Sequence, residues 1–305
     1  MEFKYSAYIP STDSFVQVEQ LKTKDYIELV KYITNDEPTA LIRAYDELLA
    51  DLCPDIDVST LTRVDKFFIL ITVRAICVGP ILNVSFEDAK SNKPYTTHVE
   101  LFPIMQRIAD IEFKFKKRIK INNNVSVDIK IPRSLYIASG EDLLIECIDR
   151  IIINKKTHDL KNFTVSEKSQ VVDSLPGVLM TDLYEYINEG MEVFADVDLF
   201  NKLNPHNPAD NEKYSVNIFD TSMYSFINLC YNDSLSYIRD ILYVLQRKCH
   251  FSGDILYNST FAEIRMYIDL YEDELKRQEK ADREAQQNQN QQSPRIGGAS
   301  SPMTF

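Results

Sequence analysis

The sequence predicts an α+β fold, mainly helical, with a short N-terminal β-hairpin and a small antiparallel β insert. Three observations carry that expectation. Residues 62–79, TRVDKFFILITVRAICVG, are apolar nearly all the way round a helix, which marks an element buried on most sides. Residues 81–132 leave helical spacing for alternation, and beyond Pro132 the helical period returns. The core stretch is shorter than the ~20 apolar residues a membrane span needs, and Arg74 interrupts it, so it is expected as the central helix of a soluble protein.

In chain order, residues 2–8 and 14–19 alternate around Ile9-Pro10-Ser11-Thr12-Asp13, the pattern of a short hairpin. Thr23 and Asp25 open a helix to about Thr34, and a second runs from Pro38 to Cys53-Pro54. Thr62 with Asp65 resembles a capping box at the start of the core helix, and Gly79-Pro80 supplies its stop. FKFKKRIKI, Asn122-Asn123-Asn124 and VSVDIKI then read as a hairpin at 114–131, joined by weaker strands near 82–86 and 97–101. The loop 87–95 between those weaker strands is polar and expected to be exposed.

After Pro132 only helices are expected. They start at Ser139, Thr164, after Pro176, and near Thr221, Ser234 and Thr260, with an exposed loop at 203–214. The last is announced by Thr260-x-x-Glu263 and is expected to fray beyond about Arg283 into a Gln/Asn/Ser-rich tail. Four units follow: 1–80 with hairpin and core helix, 81–133 the β insert, 134–284 helical, and 285–305 a disordered tail.

Composition removes several classes of function. At 305 residues and 44% hydrophobic, with 17 Tyr and 16 Phe, the chain has ample material for a core. Only 7 Gly, and no G-x-x-x-x-G-K-[ST] or G-x-G-x-x-G, argue against nucleotide-cradling loops. A net charge of −12 opposes nucleic-acid backbone binding, which needs a cationic face. The first twenty residues are not a signal peptide, and five scattered cysteines without C-x-x-C are expected as reduced, buried thiols.

No catalytic constellation emerges. His98, His158, His206 and His250 lack metal-ligand spacing, and Cys249-His250 is adjacent rather than spaced. No cofactor, metal, membrane or small-molecule substrate is expected. The acids Glu185, Glu189, Glu192, Asp196 and Asp198 form a solvated face, with a metal-dependent hydrolase as the alternative from another class. Lys114, Lys116, Lys117, Arg118 and Lys120 form a basic strip on the outward face of the hairpin, suited to protein docking. Arg74 must find a carboxylate or carbonyl partner within the core. The residues that matter are therefore structural or contact-making: Thr62, Asp65, Arg74 and Gly79 in the core helix, and Lys114, Lys116, Val127 and Ile129 in the hairpin.

Three stretches together resemble a known family. Tyr8-Ile9-Pro10-Ser11-Thr12 leads into VQVEQL and the helix KDYIELVKYI; LTRVDKFFILITVRAICVG supplies an Asp, aromatics, Arg74 and Gly79; FTVSEKSQVVDSLP and a long Tyr- and Glu-rich helix follow. Over residues 5–280 the chain resembles the baseplate hub subunit family of T-even-type (T4-like), contractile-tailed bacteriophages. The resemblance implies a late, non-enzymatic phage tail protein that acts through other hub or tail proteins. It would be a component or an assembly factor of the central hub, found in the host cytoplasm during assembly and in the virion tail baseplate. A transient tail-assembly chaperone absent from the virion is the alternative. Paired cysteines in the β insert of some relatives have no counterpart between Cys77 and Cys147.

Overall fold

The computed structural model of the protein describes residues 4–35, 37–88, 90–110, 118–120, 123–160, 163–174, 177–178, 180–185, 196–217 and 221–292. It is α+β, mainly helical, with small antiparallel sheets and an N-terminal hairpin. Strands β1 (Tyr5–Ile9) and β2 (Ser14–Val18) form that hairpin, with Tyr5 opposite Val18. Helices α1 (Thr23–Asn35), α2 (Pro38–Leu52) and α3 (Arg63–Cys77) follow.

Helix α3 is the axis of the core, and every residue in it except Ile76 is buried. Its apolar side chains meet β1, α4 (Leu101–Ala109), α7 (Thr221–Tyr231) and α10 (Phe261–Gln292). Phe67 packs on Phe226 with ring centroids 6.1 Å apart, and Tyr231 donates to the Leu70 carbonyl at 2.6 Å. A helix surrounded in this way leaves Ile76 alone in solvent, so its polar side chains need partners inside the protein. Lys66 reaches Asp46 at 2.7 Å, and Arg63 donates to the Leu135 carbonyl at 2.9 Å.

The β insert differs from the single sheet expected. β3 (Ile81–Glu87) and β4 (Pro94–Glu100) form a separate two-stranded ribbon. β5 (Arg118–Lys120) and β6 (Val125–Ile129) instead continue into β7 (Ile148–Ile153) and β8 (Lys156–Asp159). Strands therefore recur beyond Pro132, and the helix expected from Ser139 to Ile153 ends at Cys147, as α5 (Gly140–Cys147). Asn154 and Lys155 both take positive φ, 51° and 68°, the backbone of a tight hairpin between β7 and β8. Leu101 opens α4 instead of closing a strand, with Pro103 tolerated in the first turn, where backbone N–H groups have no helical acceptor.

A second pair of unexpected strands, β9 (Asp196–Lys202) and β10 (Glu212–Asn217), flanks the expected exposed loop and takes only its last residues, from Glu212. What remains of it is pinned to the β3–β4 turn. Asn204, itself buried, donates to Asp88 at 2.7 Å, and the backbone N–H of Ser91 donates to the same carboxyl at 2.7 Å. Asp88 and Asn204 are buried in this polar knot, while most other described residues of the two loops are exposed, as expected. Phe200 stacks on Tyr214 at 4.8 Å and carries the ribbon onto Phe86 and Phe226.

Helix α6 (Val165–Asp173) carries a full capping box from Thr164 and Glu167, and residues 180–185 are helical. α8 (Leu235–Lys248) and the short α9 (Gly253–Asn258) lead to α10, which stays helical to Gln292, beyond the fraying point expected near Arg283. Among the described residues no helix is long and apolar enough to cross a membrane.

The thiols are reduced. Cys53, Cys77, Cys147 and Cys230 are buried and Cys249 is partly exposed. Burial pushes Cys53 up to about 11 and both Cys147 and Cys230 up to about 12, so almost no reactive thiolate exists near neutrality. Thiol labelling of the native protein with an aromatic disulfide reagent is expected to modify Cys249 first, with the other four reacting only on unfolding. Rapid labelling of two or more sites would contradict this packing.

Candidate docking surface

The two ends of α3 do different work. At its start, Thr62 accepts from the Asp65 N–H at 3.3 Å while Asp65 accepts from the Thr62 N–H at 2.8 Å, a complete capping box. Asp65 also accepts from the N–H of Ser11 at 2.9 Å and its hydroxyl at 2.7 Å. Ser11 lies in the turn between β1 and β2, so one carboxylate caps the core helix and anchors the hairpin to it.

At its end, α3 delivers Arg74 into a polar centre. Its Nε donates to the Cys230 carbonyl at 2.5 Å and its Nη1 to the Gly79 carbonyl at 2.6 Å, while Nη2 lies 3.7 Å from Asp233. The Tyr26 hydroxyl donates to Asp233, and Arg265 of α10 approaches the same carboxylate at 3.6 Å. Burial, and then the Asp233 charge, push the Tyr26 phenol up, so it stays a neutral donor. Gly79 makes this convergence possible: its φ of +142° lies where side chains are strained, and its carbonyl faces the guanidinium. Arg74, Gly79 and Asp233 thus tie α1, α3, α10 and the turn after α7 into one body.

Above this centre lies an open groove of about 430 Å³ between the 78–81 turn and α10. Val78, Pro80, Ile81, Ala262, Met266 and Leu270 supply its apolar lining, and Arg265, Asp269 and Asp273 its charges. Ile81, Met266 and Leu270 are 51%, 50% and 62% exposed and line the same groove. α10 is fixed here by its own capping box, Thr260 with Glu263, as the spacing of those residues predicts. Thr23 bonds to the Ser259 carbonyl at 2.8 Å and Tyr26 packs on Phe261 at 5.5 Å, holding the groove wall on α1.

Thr62 and Asp65 therefore stand about 18–22 Å from the groove end of α3, at 1.5 Å per residue, and the four core-helix residues singled out by sequence do not form one site. Lys114 and Lys116 lie outside the described residues. Val127 and Ile129, expected as contact-making, are buried on β6, which is paired on both sides by β5 and β7; among the described residues the edges of this sheet are β5 and β8. On β5, Arg118 bonds to Asp128 of β6 at 2.5 Å and Lys120 is exposed. Of the acidic run, Asp198 is engaged by Lys213 at 2.6 Å and Ser215 at 2.7 Å, which hold its carboxyl below the usual carboxylate range. Glu189 and Glu192 fall outside the described residues, and among those described no group of His, Cys, Asp and Glu is placed to hold a metal ion.

Asp233, Arg265 and Tyr26 were not legible as a set. The demand of Arg74 for a partner was a local signal, but nothing local links it to a loop carboxylate on the far side of the sequence.

The structure is a helix-centred α+β body with small antiparallel ribbons and an open groove beside α10. Residues 1–202 match the sequence model of a family described as T4 bacteriophage base plate protein, 202 of 305 residues, and the chain belongs to that family. It is a T4-like phage baseplate protein. No curated protein and no solved structure matches the chain.

Proposed function

We propose that this baseplate protein works in the central hub, as a component or assembly factor, through contacts with other hub or tail proteins and without a reaction of its own. The family match over residues 1–202 carries the reading. The hub assignment adds the resemblance of the 8–12 and 62–79 stretches to hub subunits. Two surfaces support a contact role. One is the groove at Ile81, Met266 and Leu270. The other is β5 (Arg118–Lys120), an edge strand among the described residues, where Arg118 and Lys120 follow Lys114 and Lys116 in sequence and a partner strand could add. The net charge of −12 argues against nucleic acid as that partner.

Quantitative mass spectrometry of mature particles, alongside tail intermediates from the same infected cells, tests the reading. A fixed copy number in both is the result expected of a hub component. Recovery from intermediates alone identifies a transient assembly chaperone, and absence from both overturns the proposal.

A further inference from the structure

We propose that the groove between α10 and the 78–81 turn receives an amphipathic helix of a partner baseplate protein, one whose apolar stripe is flanked by lysine or arginine. The inference rests on the contact-based reading above and names the chemistry of the partner. Ala262, Met266 and Leu270 recur every four residues, so they form a straight ridge along α10 of about two turns, or ~12 Å. Ile81 and Pro80 stand across from that ridge, and a second helix laid between the two walls buries side chains from both.

The charges choose the partner. Arg265 reaches the groove, but its guanidinium faces Asp233 at 3.6 Å and lies over the Phe261 ring, so its charge is spent inward. Asp269 is exposed on the rim. Asp273 meets Lys276 of its own helix at 3.3 Å, an exposed i,i+3 pair of the weakly held kind. Of the three charges that line the groove, the two acids Asp269 and Asp273 are therefore the ones left at its rim, in a chain of net charge −12. A second copy is a poor occupant, because two-fold pairing of this groove with itself sets Asp269 and Asp273 against their own counterparts. A basic, apolar-striped helix satisfies both the ridge and the rim.

The test uses the full chain and two labelled synthetic peptides with the same leucine stripe, one flanked by lysines and the other by glutamates. Fluorescence anisotropy is expected to show the lysine peptide binding at least about tenfold tighter, with the preference shrinking as salt rises. Met266→Asp with Leu270→Asp, both at exposed positions, is expected to lose about tenfold or more in affinity with an unchanged thermal melt. Asp269→Lys with Asp273→Lys is expected to invert the peptide preference. Equal binding of the two peptides, or undiminished binding by the Met266/Leu270 variant, overturns the proposal. A chain that sediments as a dimer and becomes monomeric in that variant also overturns it, by making a second copy the occupant. Failure here with the chain still recovered from hub particles leaves the hub reading intact, while peptide binding by a chain absent from particles and intermediates sinks that reading alone.

Discussion

Arg74→Met is expected to destabilise the protein by about 3–5 kcal/mol, the loss seen when one member of a buried ion pair is removed. Methionine restores much of the volume, so a cavity is not the cause. The cost comes from what stays behind. The carbonyls of Cys230 and Gly79 lose the donors that reach them at 2.5 and 2.6 Å, and Asp233 loses one of its two guanidinium neighbours. Urea unfolding of the purified chain measures it, and a change below about 1 kcal/mol would place Arg74 among ordinary polar substitutions. Adding Asp233→Asn to Arg74→Met is expected to cost less than the sum of the single changes, because residues sharing one network couple by about 0.5–3 kcal/mol.

Asp65→Ala is the second large effect, on the order of 3 kcal/mol. A lost helix cap accounts for about 1 kcal/mol of it. The remainder follows from the Ser11 and Thr62 groups, which lose a charged acceptor in a buried setting at about 1–3 kcal/mol. Thr62→Ala removes the cap hydroxyl and spares the Ser11 anchor, so it is expected to cost only about 1 kcal/mol. Equal losses in the two variants would show that the hairpin is held by its apolar face alone. Ala7, Ile9, Val16 and Val18 are the buried side chains that would then carry it.

What was legible in the sequence was what local chemistry writes. The core helix declared itself through Thr62, Asp65 and Gly79 because caps and stops act within four residues, and its all-round apolarity required burial whatever surrounded it. The strands beyond Pro132 were hidden by ambiguity of period. CIDRIII is a short apolar run that suits the end of a helix as well as a buried strand. The turn that resolves it, Asn154-Lys155, has a lysine where glycine is the usual marker. Asp196–Lys202 begins as an alternation, Asp196-Val197-Asp198-Leu199, but the acids drew the reading toward a charged face. The groove was illegible for another reason: Gly79-Pro80-Ile81 and Met266-x-x-x-Leu270 each read as an ordinary element, and only folding brings them together.

The proposed place of this chain is the baseplate hub, held through protein contacts. Cross-linking mass spectrometry on hub intermediates isolated from infected cells tests it most directly. The account predicts cross-links from lysines near the β5 edge and along α10, such as Lys120 and Lys276, to other central hub proteins. Cross-links confined to peripheral baseplate proteins, or none to any tail protein, would contradict it.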